Sequence, residues 1–128
     1  MIIERMPFEE AAIFYLDEKI KVRTDDKYKN LRHLVYAHVV GGNVVYIGET
    51  SNTFHKIMYY YCNHKGNTNV RVREYFKKQI LNGKEVKTYI YVPEEVIVCG
   101  HKIPTYIGVE QKLIDLIRPE LNRKNVLL

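Results

Sequence analysis

Two β-rich runs, Leu34 to Val40 and Val44 to Gly48, flank Gly41-Gly42-Asn43, and this arrangement constrains the chain more than any other feature. A glycine-rich turn between runs of Val, Tyr and Ile is a strong hairpin signal. The loop length then decides which side chains meet, because residues alternate between faces along a strand. With a three-residue loop, Val40 faces Val44 and His38 faces Tyr46, so Tyr36, His38 and Tyr46 share one face. A two-residue loop puts the two tyrosines on opposite faces. A site built on both phenols requires the first register.

Other elements follow from periodicity and punctuation. Pro7 to Ile20 is predicted as a helix: Pro in an early turn, Glu9-Glu10 near the positive end, and Ala12, Ile13, Leu16 and Ile20 along one stripe. Lys21 to Arg32 is charged and turn-like at Asp25-Asp26, a link to the main fold. Asn52 or Thr53 caps a helix running to the neighbourhood of Tyr61, and Asn69 caps another that closes at Asn82-Gly83. Val86 to Val92 alternates as a strand, and Val96 to Cys99 is a short apolar run. Pro104 opens a last helix that stops before Pro119. The fold class is α+β: a central antiparallel sheet built on the hairpin and flanked by helices, with residues 1–33 as an N-terminal helical extension and 34–128 as the main domain.

A chain of 128 residues has room for one core. Its 27 % charged and 46 % hydrophobic residues exclude a disordered chain. A net charge of +5 favours a polyanionic partner such as nucleic acid. No apolar run approaches a membrane span and no signal peptide opens the chain, so no membrane partner is expected. The expected setting is cytoplasmic, the interior of a bacterial, phage-infected or virus-infected cell. Cys62 and Cys99 lack metal-ligand spacing and read as reduced thiols. Eleven tyrosines in a chain poor in other reactive groups direct attention to phenolic hydroxyls.

In the closing helix, Tyr106, Glu110, Leu113 and Ile117 follow helical spacing, which sets Glu110 on the apolar stripe. A carboxylate there either reaches water at the stripe's edge or needs a cation, because burying it unpaired is costly. Arg71 and Tyr75, four residues apart on the preceding helix, face one side together.

The hairpin triads Val35-Tyr36-Ala37 and Tyr46-Ile47-Gly48, together with Glu110-x-x-Leu113-Ile114-x-x-x-Arg118-Pro119-x-Leu121-Asn122, resemble the motifs of the GIY-YIG nuclease superfamily. The layout is closest to its small restriction-type and phage members, whose N-terminal extensions the first 33 residues resemble. The first triad departs from GIY, and Tyr106-Ile107-Gly108 repeats the second triad's letters where no hairpin can form. Lys56 occupies the position at which the family usually has arginine, and Tyr60 lies one turn later. Some restriction enzymes of the superfamily combine such a lysine with an arginine and a tyrosine one helix on, a variant that Lys56, Arg71 and Tyr75 resemble. The resemblance implies catalytic roles for Tyr36, Tyr46, Lys56, Arg71, Tyr75 and Glu110, and Mg²⁺ on Glu110, with Mn²⁺ as a substitute. It implies substrate contacts from His38, Tyr60, Asn122, Arg123 and Lys124, with Asn122 also bracing the site.

Such a set fits phosphodiester hydrolysis. Lys56 and Arg71 would hold the phosphate, and Tyr46 or Tyr36 would take the proton of water. A free phenol titrates near 10, so a nearby cation must lower it, and Lys56 is the expected one. Duplex DNA is the favoured substrate and a homodimer or higher homo-oligomer the expected assembly, since one site cuts one strand. A catalytically silent nucleic-acid-binding or regulatory protein on the same scaffold is the alternative.

Overall fold

A computed structural model of the chain describes residues 2–122. A one-turn 3-10 helix, Ile2–Arg5, leads into β1 (Glu9–Asp17), β2 (Lys19–Thr24), β3 (Leu34–Val40) and β4 (Asn43–Thr50). Then come α1 (Phe54–Asn63), α2 (Asn67–Leu81) and β5 (Val86–Tyr91). A small exposed hairpin, β6 (Val96–Val98) and β7 (His101–Ile103), precedes α3 (Tyr106–Ile117). The five longer strands form one antiparallel sheet in the order β2-β1-β5-β3-β4. The fold is therefore α+β, as the sequence indicates.

The N-terminal helix expected over Pro7 to Ile20 is instead a β-hairpin of the same sheet. Ile13-Phe14-Tyr15 are strong strand formers, and Ile20 and Val22 alternate with Lys19, Lys21 and Arg23. A register shift between Glu10 and Ala12 lets Ala11 and Ala12 both be buried, and that doublet imitates helical spacing. The boundary drawn after residue 33 thus runs through a shared sheet and core. Phe14, 2 % exposed, packs against Phe76 with ring centroids 4.8 Å apart and against His38 at 5.7 Å.

The β3–β4 hairpin reaches the expected partnership by a different route. Its turn has two residues, Gly41 and Gly42, at φ 55° and 85°, left-handed values that glycine adopts without strain, and Val40 pairs with Asn43. That register alone would set Tyr46 opposite Ala37. A bulge intervenes: Val39 pairs with Val44 but His38 pairs with Tyr46, leaving Val45 as the extra residue. Tyr36, His38 and Tyr46 consequently share a face.

Helices α1 and α2 cover that face, α1 on β2 and α2 across β1, β2 and β5. Neither is capped by a side chain. The first amides of α1 bond instead to the carbonyls of Leu31 and Lys29, at 2.9 Å each. Helix α3 covers the other face, packing on β3 and β4 through Tyr106 and Leu113. Among the described residues no helix is long and apolar enough to cross a membrane. If the N-terminal hairpin is integral to the core, Phe14→Ala will cost about 3–5 kcal/mol in urea unfolding, as a large core truncation does; an appended segment would lose almost nothing.

Candidate active site

The rings of Tyr36 and Tyr46 lie 6.3 Å apart, and each approaches Tyr61 of α1, at 6.1 and 6.3 Å. The Tyr36 and Tyr61 hydroxyls share a buried 2.8 Å hydrogen bond, and the Tyr61 ring lies edge-on to that of Tyr46. Tyr61 was not anticipated, although its spacing from Phe54 and Met58 puts it on the buried stripe of α1. Gly48, directly opposite Tyr36, makes the cluster sterically feasible: a Cβ there would sit 2.4 Å from the Tyr36 hydroxyl.

Burial pushes the Tyr36 and Tyr61 hydroxyls far above the ordinary phenol value. Tyr36 is 4 % exposed and Tyr61 3 %, so both rings belong to the core. Tyr46 is half-buried and is the phenol of the three that reaches the surface. Burial raises its pKa as well; the Tyr61 hydroxyl and the Arg71 guanidinium lower it, while Glu110 and Glu49 raise it. The positive field on Tyr46 comes from α2, whereas Lys56 is exposed with its ammonium 6.0 Å from the Tyr60 ring centre.

Arg71 is half-buried, and its Nη1 donates to the Leu121 carbonyl at 2.9 Å. The next residue, Asn122, clasps the outer edge of β4: Ile47 N–H donates to its Oδ1 at 2.8 Å, and its Nδ2 donates to the Ile47 carbonyl at 2.9 Å. With both amide groups engaged and only 8 % exposure, Asn122 braces the strand. His38 departs from its expected substrate role. It is wholly buried, its Nδ1 bonds Thr88 Oγ1 at 2.8 Å, and burial pushes its pKa down to about 3. Tyr75 points to Glu120, with its hydroxyl 3.3 Å from that carboxylate and outside the phenol cluster. Tyr60 packs against His64, with ring centroids 5.1 Å apart. Arg123 and Lys124 lie outside the described residues.

Glu110 stands on α3, across the sheet from α1 and α2, yet its field acts on both Tyr36 and Tyr46. The position of β4 accounts for this: as the terminal strand, it lets groups from the two faces converge around its edge. Burial pushes Glu110 up to about 7, aided by the carboxylate of Glu49, a second residue the sequence did not single out. Among the described residues no group of three or more His, Cys, Asp or Glu could hold a metal ion. The donor set is thus one poorly solvated carboxylate with another nearby, which fits an open, mostly water-coordinated Mg²⁺ and no tighter cage.

The arrangement defines a class: an α+β domain with a phenol, a guanidinium and a carboxylate gathered at the free edge of an antiparallel sheet. The structure of a mutant of bacteriophage T4 EndoII matches this fold with a TM-score of 0.77 at 20 % identity, over 93 % of this chain and 94 % of that one. Restriction endonuclease Hpy188I, solved with product DNA, matches with a TM-score of 0.52 at 21 % identity, over 97 % of this chain and 78 % of its own. No protein-family model and no curated protein matches the sequence.

Two outcomes follow. Gly48→Ala will force the Tyr36 ring aside and cost about 1–3 kcal/mol in chemical denaturation, as overpacking does. For Glu110 the folded pKa lies above the unfolded one, so folding binds a proton and stability falls as pH rises from the ordinary carboxylate range through about 7. In metal-free buffer Glu110→Gln will therefore melt above the wild type at a pH of about 8, with the difference gone by about pH 4, where both states are protonated.

Proposed function

We propose that the chain is a metal-dependent DNA endonuclease of the GIY-YIG type, restriction-like or phage DNA-degrading. What supports this reading is that Arg71 of α2 is tied to Leu121 beside the Asn122 clasp on Ile47, next in sequence to Tyr46, while α3, which carries Glu110, packs on β4. The fold shared with EndoII and Hpy188I supports it, and the net charge of +5 suits duplex DNA.

Arg71 gives one N–H to Leu121 and retains four others, enough to hold non-bridging oxygens of the scissile phosphate in a fixed plane. Lys56, exposed on the first turn of α1, adds a point charge to the approaching backbone. Tyr46, as phenolate, accepts the proton of the attacking water. The water oxygen bonds to phosphorus as the bond from phosphorus to the 3′ oxygen breaks, and solvent water protonates that departing oxygen, leaving a 5′ phosphate and a 3′ hydroxyl. Magnesium, or manganese in its place, would be held by Glu110 and would supply Lewis-acid stabilisation of charge on the phosphoryl and departing oxygens. One such site cuts one strand, so a double-strand break requires two chains or two successive nicks.

Nicking of supercoiled plasmid tests the reading. Cleavage will require Mg²⁺ or Mn²⁺ and vanish in Glu110→Ala. It will fall roughly 10²–10³-fold in Arg71→Ala and roughly 10²–10⁴-fold in Tyr46→Phe. The Ala37 that ends the first triad and the lysine in place of arginine favour the rival, a silent nucleic-acid-binding protein. Tight DNA binding without cleavage under either metal would establish that rival, and cleavage confined to structured RNA would replace the substrate.

A further inference from the structure

We infer that the β6–β7 hairpin is an arm covered by a second copy of this chain, each arm lying in the partner's groove beside α3. The inference does not depend on the nuclease reading. Every residue of both strands is exposed, so neither face of the arm packs on the body. A lone two-stranded hairpin is marginal in water. This one is built from aliphatics, with Val96, Val98 and Ile103 on one side and Ile97, 73 % exposed, on the other. With Val92 and Ile107, the stretch presents roughly 500 Å² of aliphatic surface, as much as the largest patch on a typical monomer.

The chain's own surface supplies the complement. Where the arm joins α3, Pro104, Gly108, Val109 and Leu113 line an apolar groove of about 450 Å³, together with Thr105 and Lys112. Helix α3 keeps a glycine at 108 although a Cβ there would meet nothing within 4 Å. Glycine weakens a helix relative to alanine, and packing within the chain does not require it here. Its lack of a side chain keeps the groove open to an incoming one.

Charge selects the occupant. Glu94 and Glu95 precede the arm, Lys102 lies on it and Lys112 lines the groove. All four are exposed, and none is in a salt bridge among the described residues. A two-fold contact sets the same patch against itself, so each acidic pair meets the partner's lysines. Nucleic acid would instead meet two carboxylates and an aliphatic face. Arm and groove together approach the ~800 Å² that each partner buries in a standard interface.

Sedimentation velocity over a concentration series of the full chain tests this. The wild type will pass from monomer to dimer as concentration rises. Ile97→Glu faces Lys102 across the hairpin, which keeps the arm folded, and Gly108→Gln fills the groove with a good helix former. Each change enters the dimer twice, so each will raise the dissociation constant roughly 100-fold, about 10-fold per contact as for one buried aliphatic side chain. Tyr59→Ser, on the exposed side of α1, will leave it unchanged. Cys99, exposed at the arm's turn, gives a readout without substitution: its alkylation will slow as the chain is concentrated into dimers. A chain that stays monomeric throughout, or a dimer untouched by both variants, would overturn the proposal. So would Cys99 alkylation that is no slower in the dimer, or an Ile97→Glu effect confined to DNA affinity.

Discussion

The extra residue Val45 in β4 is the constraint on which the rest of the site depends. Strand geometry permits only two directions for a side chain, so a two-residue turn would commit Tyr46 to the α3 face and Tyr36 to the other. By inserting one unpaired residue, the bulge returns Tyr46 to the face of Tyr36 and His38 and turns Ile47 under α3. Bulges also twist a strand locally and are tolerated best at sheet edges, and β4 is an edge strand. Without that residue the phenols would lie on opposite sides of the sheet, and the Tyr61 ring could not lie against both.

An edge strand is normally a liability, since its unpaired amides invite another strand. Here Asn122 occupies the exposed N–H and C=O of Ile47 with its own amide, pairing side chain to backbone as a neighbouring strand would. The preceding residue, Leu121, is buried in the core beside α2 and gives its carbonyl to Arg71. Two consecutive residues therefore tie the edge of β4 to the guanidinium of α2. The site gains rigidity from contacts that do not touch its open side, which is the arrangement that pre-organised chemistry requires.

Much of this architecture is legible in the sequence, and what is not fails for identifiable reasons. Hairpin, helices and closing helix follow from glycine, proline and periodicity, and Glu110 stands out as a carboxylate on an apolar stripe. The turn length does not, because Gly-Gly-Asn supports two-residue and three-residue loops alike, and a bulge adds no distinctive letter. The N-terminal hairpin is obscured because the Ala11-Ala12 doublet at a register shift mimics a helical stripe. The clean alternation of Lys19-Ile20-Lys21-Val22-Arg23 was the better signal. His38 reads as a surface ligand until the sheet and two helices are assembled above it. Its confinement by Phe14, Tyr61 and Phe76 is tertiary, set by residues distant in sequence.

The electrostatics of the edge follow from the same burial that builds it. Desolvation is the first cause of the upward shift at Tyr36, Tyr46, Tyr61 and Glu110, so each of these groups resists ionisation in the isolated chain. Arg71 works against that tendency from the α2 side, and its partner at Leu121 is a neutral carbonyl. A carboxylate pushed up to about 7 beside a second carboxylate gains more from a divalent cation than a solvated one does, because pairing removes both its desolvation and its repulsion. The core packing that positions the phenols is therefore also what raises the cost of charge along this edge.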